Sequence, residues 1–285
     1  MPIRRRSWLF VPGADSAAHQ RAARSGADVI ILELEDFTPP ELRPKARALA
    51  SEAMELWRKR GAIAAVRINP LGAGGLEDLM GVLPGRPEIV MMSKVAAVEQ
   101  VQALEQATGG AVELVPNIES SAGLRKAFDI ARAGKKVSAL LLASEDMVAD
   151  LGTVRSRSGE ELAYARARFL LECRAAGVEA IDCPYTFSDV KGAVADARWA
   201  KRLGYRMKSL VDPAHAGVIN KVFTPSKQEI AKARKIVAAF ERARAKGKDR
   251  AKVGGALVEV PVYAAAKRLL ESAAQSLPPP RKTPG

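Results

Sequence analysis

Two stretches decide the fold: Val112-Glu-Leu-Val-Pro-Asn-Ile-Glu-Ser and Val137-Ser-Ala-Leu-Leu-Leu-Ala-Ser-Glu-Asp. Each is an apolar run of strand length that closes on a carboxylate, Glu119 in the first and Asp146 in the second. Near-continuous apolar runs suit strands covered on both faces, as in parallel sheets. A helix-start signal follows Glu119, and a polar, glycine-bearing loop follows Asp146. In a parallel α/β protein the loops after the strands share one face, where chemistry is placed. Two acids 27 positions apart could therefore meet there and hold one hard cation.

Outward from this pair, similar runs begin near residues 7, 28, 62 and 88 on one side, and near 179 and 206 on the other. With the runs at 112 and 137 they make eight. Helical patterns fall between them, over Asp15–Arg24, Glu41–Lys59, Val98–Gln106, Ala122–Ala133, Gly159–Ala176 and Asp189–Leu203. Eight strands alternating with helices predict a (β/α)8 TIM barrel with a C-terminal helical extension. An open doubly wound sheet is the alternative. It is disfavoured because Val11-Pro-Gly-Ala-Asp stands where that fold carries Gly-x-Gly-x-x-Gly. The largest gap, between the runs at 137 and 179, holds the loop after Asp146, so the chain elaborates the end where the two acids lie.

The expected division is a catalytic barrel over residues 1–222, an extension over 223–275 and a disordered tail over 276–285. The extension comprises a basic helix Lys227–Ala245, a polar mobile loop Gly247–Gly255 and a helix Tyr263–Ala274. It is too small to be a catalytic domain and is expected to pack on its own barrel or on a neighbouring subunit.

Composition narrows the function. With 48% hydrophobic and 27% charged residues, the 285-residue chain is globular. No apolar run approaches the ~20 residues that span a bilayer, and Trp8-Leu-Phe-Val-Pro is no signal-peptide core. Cys173 and Cys183 cannot make a disulfide framework. They read as buried thiols, and the expected compartment is the cytoplasm. The formal charge of +13 has no nucleic-acid motif beside it, so it reads as a solvated basic surface that also suits a phosphorylated cofactor.

The predicted strand ends gather charge: Glu35 and Asp36 on the second, Arg67 and Asn69 on the third, Lys94 on the fourth. Glu119, Asp146 and Asp182 follow on the fifth to seventh, and Lys208 lies in the eighth. Any one of these could be structural; so many at one end point to a site. Carboxylates without thiolates or histidines favour an oxygen-ligated ion, Mg²⁺ or alternatively Mn²⁺, over zinc. Arg67 offers the planar fork that suits a substrate carboxylate. A cation and an arginine on a 2-oxo acid are the apparatus for making or breaking a C–C bond.

The runs Arg5-Arg-Ser-Trp-Leu-Phe-Val-Pro-Gly, Leu32-Glu-Leu-Glu-Asp, Arg67-Ile-Asn-Pro-Leu-Gly, Glu119-Ser-Ser-Ala-Gly and Glu145-Asp-Met carry a resemblance. Asp150-Leu-Gly, Tyr164-Ala-Arg, Ala180-Ile-Asp and Val218-Ile-Asn-Lys-Val-Phe-Thr-Pro-Ser continue it in order. The chain resembles the citrate lyase β-subunit-like branch of the HpcH/HpaI aldolase family over roughly residues 4 to 268. The resemblance implies a TIM barrel, a homo-oligomer (trimer or hexamer), and Mg²⁺-dependent cleavage or formation of citryl-, citramalyl- or malyl-CoA-type thioesters. It puts Glu119 and Asp146 on the ion, with Glu35 and Asp36 supporting them from just outside. Arg67 takes the oxo-acid carboxylate, Arg5 and Arg6 the CoA phosphates, and Lys208 the substrate.

Three departures from the family pattern stand out. Met207-Lys208 and Asp212-Pro213 replace the usual Gly-Lys and His-Pro, and Ser93-Lys-Val-Ala replaces Pro-Lys-Val-Glu. Leu257-Val-Glu-Val-Pro replaces Met-Ile-Asp-x-Pro, so Glu259 takes the place of the acid/base aspartate that reaches a neighbouring subunit. A CoA-independent aldolase acting on 4-hydroxy-2-oxo acids is the second reading, and a non-catalytic polyanion-binding protein the third. Neither a specific nucleic acid nor a membrane is an expected partner.

Overall fold

Eight parallel strands close on themselves in sequence order. They are β1 (Ser7–Pro12), β2 (Val29–Glu33), β3 (Ile63–Ile68), β4 (Ile89–Met92), β5 (Glu113–Ile118), β6 (Ala139–Leu142), β7 (Glu179–Asp182) and β8 (Met207–Leu210). Pairing of Ser7 with Lys208 joins the last strand to the first, which excludes the open sheet. The computed structural model describes residues 5–276, and these form two compact units, residues 5–223 and 224–276.

Side chains alternate along each strand, and the alternation sorts the barrel into two apolar layers. Trp8, Val29, Ile31, Ile63, Met91, Val115, Leu141 and Ile181 fill the interior. Leu9, Ile30, Leu32, Val66, Val90, Leu140 and Leu210 face the surrounding helices. Those helices are α1 (Ser16–Ala22), α2 (Arg43–Lys59), α3 (Gly75–Val82), α4 (Val98–Ala107), α5 (Ser121–Arg125) and α6 (Ala127–Ala131). α7 (Glu145–Asp150), α8 (Ala163–Ala176), α9 (Val190–Leu203) and α10 (Ala216–Phe223) complete the ring. Local chemistry starts several of them. Asp15, Ser120 and Asp189 each accept a backbone N–H of the first turn of α1, α5 and α9. Helix α3 has no counterpart among the expected helices, because its start is hidden in Gly72-Ala-Gly-Gly, which reads as a breaker. The single helix expected over Ala122–Ala133 is instead two short ones, meeting at Lys126.

Lys208 shows how strand parity decides a role. Met207 packs against the interior layer, so Lys208 points the other way, toward α8 and α9. It is fully buried there, its Nζ 2.6 Å from both Asp182 and Asp196. Arg166 binds the same two acids, at 2.7 Å each. The expected substrate contact is therefore a buried four-membered charge network, with the ammonium's donors committed to protein oxygens. Lys208→Met leaves two buried acids with one partner, a change that costs about 3–5 kcal/mol in comparable cases. Equilibrium urea unfolding is expected to show that loss, and a midpoint equal to wild type would contradict it.

The second unit holds α11 (Lys227–Arg244), the antiparallel pair β9 (Ala251–Val253) and β10 (Ala256–Val258), and α12 (Val260–Ser276). Ser226 and Glu229 form a capping box at the start of α11. Phe240 stacks on Tyr263 with centroids 4.6 Å apart, tying α11 to α12. Of the loop expected over Gly247–Gly255, residues 251–255 are the first strand and the turn of a hairpin. Gly254 and Gly255 both have positive φ (57° and 81°), which a two-residue turn matched to strand twist requires. α12 starts at Val260, three residues before the expected Tyr263, with Pro261 tolerable in its first turn. Of the expected tail only Ser276 lies within the described residues. No helix among these is long and apolar enough to cross a membrane.

Candidate active site

Strand parity also builds the site. Val29 and Ile31 face the barrel interior, so Glu33 at the end of β2 does too; Ile63 and Ala65 likewise set Arg67, and Val115 sets Asn117 and then Glu119. The interior thus changes from apolar to charged toward the C-terminal ends of its strands. Asp146 arrives differently, in the first turn of α7, where a carboxylate is favoured by the helix dipole.

Arg67 is the hub. Its Nε donates to Glu33 at 2.9 Å, and one terminal nitrogen lies 2.9 Å from Glu33, 3.1 Å from Glu35 and 3.5 Å from Asp36. The other is 3.8 Å from Glu119, and the Phe10 ring lies 4.8 Å from the guanidinium carbon. Burial opposes the charge on Arg67, but Glu33, Glu35, Glu119 and Asp36 outweigh it and hold its pKa above the ordinary value. Lys94 follows β4 with φ 55°, a left-handed conformation that costs a non-glycine residue on the order of 1 kcal/mol or more. That turn sets its ammonium 2.6 Å from Glu35.

Glu119 stands apart. It is 3% exposed, and neither carboxylate oxygen has a hydrogen-bond partner. Burial pushes its pKa up to about 8 against the pull of Arg67, with the negative charges of Glu35 and Asp146 adding to the rise. Burial also raises Asp146, helped by Asp36. A buried carboxylate without a partner is costly, and a cation beside Glu119 and Asp146 relieves that cost. The available donors are oxygens. His19 is bonded to Pro12 and His215 to Ser188, and both cysteines are buried. Among the described residues no three acids, histidines or cysteines gather to ligate one ion. Two carboxylates with room for water and substrate oxygens suit Mg²⁺.

A cavity of about 300 Å³ opens beside these groups. Phe10, Leu141 and Val211 line it with carbon, and Arg67, Asp36 and Asp146 present charge to it. An apolar concavity with a few convergent polar groups is the usual form of a small-molecule site.

Of the expected site residues, Arg67, Glu119, Glu35, Asp36 and Asp146 are brought together. Arg5 and Arg6 are not. They precede β1 and lie at the N-terminal rim of the barrel, where Arg5 pairs with Glu113 and Arg6 with Asp28 at 2.8 Å. The expected contact of these two arginines with CoA phosphates at this site is corrected accordingly, because a strand's first residues sit at the end opposite the cavity. Glu259 belongs to the second unit, exposed just before α12. Two contributors escaped the sequence reading, Glu33 and Phe10. The parity of Glu33 with Val29 and Ile31 was a usable signal for the first.

Known proteins match this chain over most of its length. Residues 6–213 match the HpcH/HpaI aldolase/citrate lyase family. The chain belongs to that family. The citrate lyase subunit beta of Haemophilus influenzae is 32% identical over 281 residues, 94% of this chain and 97% of that protein. The L-malyl-CoA/beta-methylmalyl-CoA lyase of Cereibacter sphaeroides is 31% identical over 288 residues, 90% of each. A crystal structure of CitE from Mycobacterium tuberculosis, in complex with magnesium, acetoacetate and coenzyme A, superposes with a TM-score of 0.80. It is 26% identical and is covered over its whole length, with 96% of this chain. Family membership makes this chain a carbon–carbon lyase by class.

Proposed function

We propose that this protein is a Mg²⁺-dependent lyase that cleaves, or in reverse forms, a citryl-, citramalyl- or malyl-CoA-type thioester to give an oxo acid and an acyl-CoA. The observation that carries the proposal is the meeting of Arg67 with Glu119, a buried carboxylate without a hydrogen-bond partner, and with Asp146 beside an apolar cavity. Glu119 and Asp146 would hold the ion. Bound there, Mg²⁺ supplies Lewis acidity to the oxygens of the oxo acid.

The chain's own residues do the rest. Arg67 takes the oxo-acid carboxylate in a bidentate grip, its guanidinium already fixed by Glu33 and Glu35. Phe10, Leu141 and Val211 keep water from the breaking bond. In the cleavage direction the substrate hydroxyl loses its proton to a carboxylate and the C–C bond breaks. The electron pair stays on the carbon next to the thioester, which then takes up a proton. We assign the hydroxyl proton to Glu259, lent by the extension of a neighbouring subunit in a trimer or hexamer.

One observation favours the CoA-independent alternative. The arginines expected on the CoA phosphates, Arg5 and Arg6, are paired with acids at the far rim. Malyl-, citramalyl- and citryl-CoA tested against free 4-hydroxy-2-oxo acids, with and without Mg²⁺, separate the readings. We expect metal-dependent release of an oxo acid from a thioester, with kcat/KM about 10²-fold or more above that for the free acids. The reverse preference assigns the CoA-free aldolase, and turnover of neither removes both.

A further inference from the structure

Glu33 is fully buried at the end of β2, yet its carboxylate is saturated by groups that all belong to the site. One oxygen accepts from Arg67 Nε at 2.9 Å and from the backbone N–H of Glu35 at 2.6 Å, with an Arg67 terminal nitrogen at 2.9 Å. The other accepts from the backbone N–H of Phe37 at 2.6 Å. Its carbonyl oxygen is fixed as well, accepting from Gly13 N at 2.9 Å and from the Thr38 hydroxyl at 2.6 Å. A Cβ on residue 13 would meet that carbonyl at 2.7 Å, so only glycine allows the strand to be gripped there.

We infer that Glu33 is the positioning residue of the site, holding the Arg67 guanidinium and the loop that carries Glu35, Asp36 and Phe37 in register through one carboxylate. Three features support this. Glu33 takes up Nε and one terminal nitrogen of Arg67, which fixes the plane of the guanidinium and leaves the other terminal nitrogen on the side of Glu119. Glu35, Asp36 and Phe37 leave a backbone whose N–H groups at alternate positions close on Glu33, which aims their side chains at Arg67 and the cavity. Burying a charged pair carries a desolvation cost, and replacing such a pair with apolar residues is often neutral or stabilising. A cheaper core was therefore available, and register of the site is what the charge supplies.

The inference rests on the proposed role of Arg67 in gripping the oxo-acid carboxylate. Glu33→Gln keeps the shape and replaces one acceptor with an N–H₂ donor. If that amide faces Phe37 N the loop is released; if it faces Arg67 the guanidinium is released. Glu33→Asp keeps the charge and shortens the reach by one methylene, so it cannot serve both partners.

The test is a double-mutant cycle of Glu33→Gln with Arg67→Lys, with Glu33→Asp alongside, on the full-length enzyme in the condensation direction. We expect Glu33→Gln to raise KM for the oxo acid about 10-fold and to lower kcat/KM about 10²-fold, the scale of a 1 Å misplacement. KM for the acyl-CoA should stay within about twofold of wild type. In the Arg67→Lys background the same change should cost under about threefold, because the group it positions is gone. Glu33→Asp should fall between wild type and Glu33→Gln. Multiplicative effects of the two substitutions, or a lower Tm with both KM values unchanged, overturn the inference.

A wild type without turnover overturns the proposed function instead. The same cycle is then read without catalysis, from calorimetric affinity for pyruvate in Mg²⁺ and from the ¹⁵N NMR signal of Arg67 Nε–H. That signal and the backbone N–H signal of Phe37 should both be protected from solvent exchange in wild type, and one of the two should be exposed in Glu33→Gln. Unchanged protection of both overturns the positioning role whatever the reaction.

Discussion

Glu119→Gln combined with Asp146→Asn is expected to abolish Mg²⁺-dependent turnover while leaving the apo protein at least as stable as wild type. The two halves of that result have one cause. Glu119 is buried with no hydrogen-bond partner, and Glu35, Asp36 and Asp146 lie close enough to raise its pKa. Neutral amides of the same shape remove the repulsion, so the apo barrel loses nothing by the exchange. The ion proposed there would lose both of its anionic ligands. Removing one electrostatic stabiliser of a reaction commonly costs 10²–10³-fold, so the pair should cost at least about 10³-fold in kcat/KM. A thermal scan gives the independent reading. At an Mg²⁺ concentration about 100 times its Kd, binding stabilises wild type by about 2.7 kcal/mol. The double variant should show no Mg²⁺-induced rise in Tm. Retained metal-dependent activity, or a retained shift, would put the ion elsewhere.

How much of this site the sequence revealed depends on which kind of order placed each residue. Glu119 and Asp146 were legible because each ends an apolar run, and the (β/α)8 repeat brings strand ends to one face. Arg67 was legible for the same reason. Lys208 was misassigned because its motif gives position along the chain but not side of the strand. A one-residue difference in parity exchanges the barrel interior for the helix layer, and Met207 in the interior layer fixes which it is. Arg5 and Arg6 were misassigned along the other axis, since residues preceding a strand lie at the rim opposite its end. The same parity would have found Glu33. Lys94 was recognised as a strand-end cation, but nothing in Ser93-Lys-Val-Ala foretells a left-handed lysine. In the extension, composition misled: Gly247–Gly255 contains the two adjacent glycines of a tight hairpin turn, and its polarity outweighed that signal.

Arg67→Lys should be the most damaging single conservative change in the barrel. One guanidinium meets Glu33, Glu35 and Asp36 within 3.5 Å, approaches Glu119 at 3.8 Å and packs under Phe10. An ammonium is a point charge with three donors on a shorter reach, and it cannot span these acids and still offer a planar fork to a substrate. Two penalties follow, measured separately. Stability falls, because breaking a buried ion pair costs on the order of 3–5 kcal/mol when a partner is left uncompensated, and a lysine that keeps part of the pairing should lose less. Catalysis falls further, with kcat/KM expected about 10³-fold down at saturating Mg²⁺, because a bidentate contact aligned with the reacting carbonyl is gone. The chemistry of the substrate tells the two apart. In the condensation direction, an aldehyde of the same size that lacks the carboxylate has nothing for Arg67 to hold. Wild type should use it poorly, and Arg67→Lys should use it about as poorly as wild type does. If the variant instead loses the same factor on the aldehyde as on the oxo acid, Arg67 supports the barrel and its acids without gripping the substrate. A kcat/KM within about threefold of wild type on the oxo acid would remove the carboxylate grip altogether.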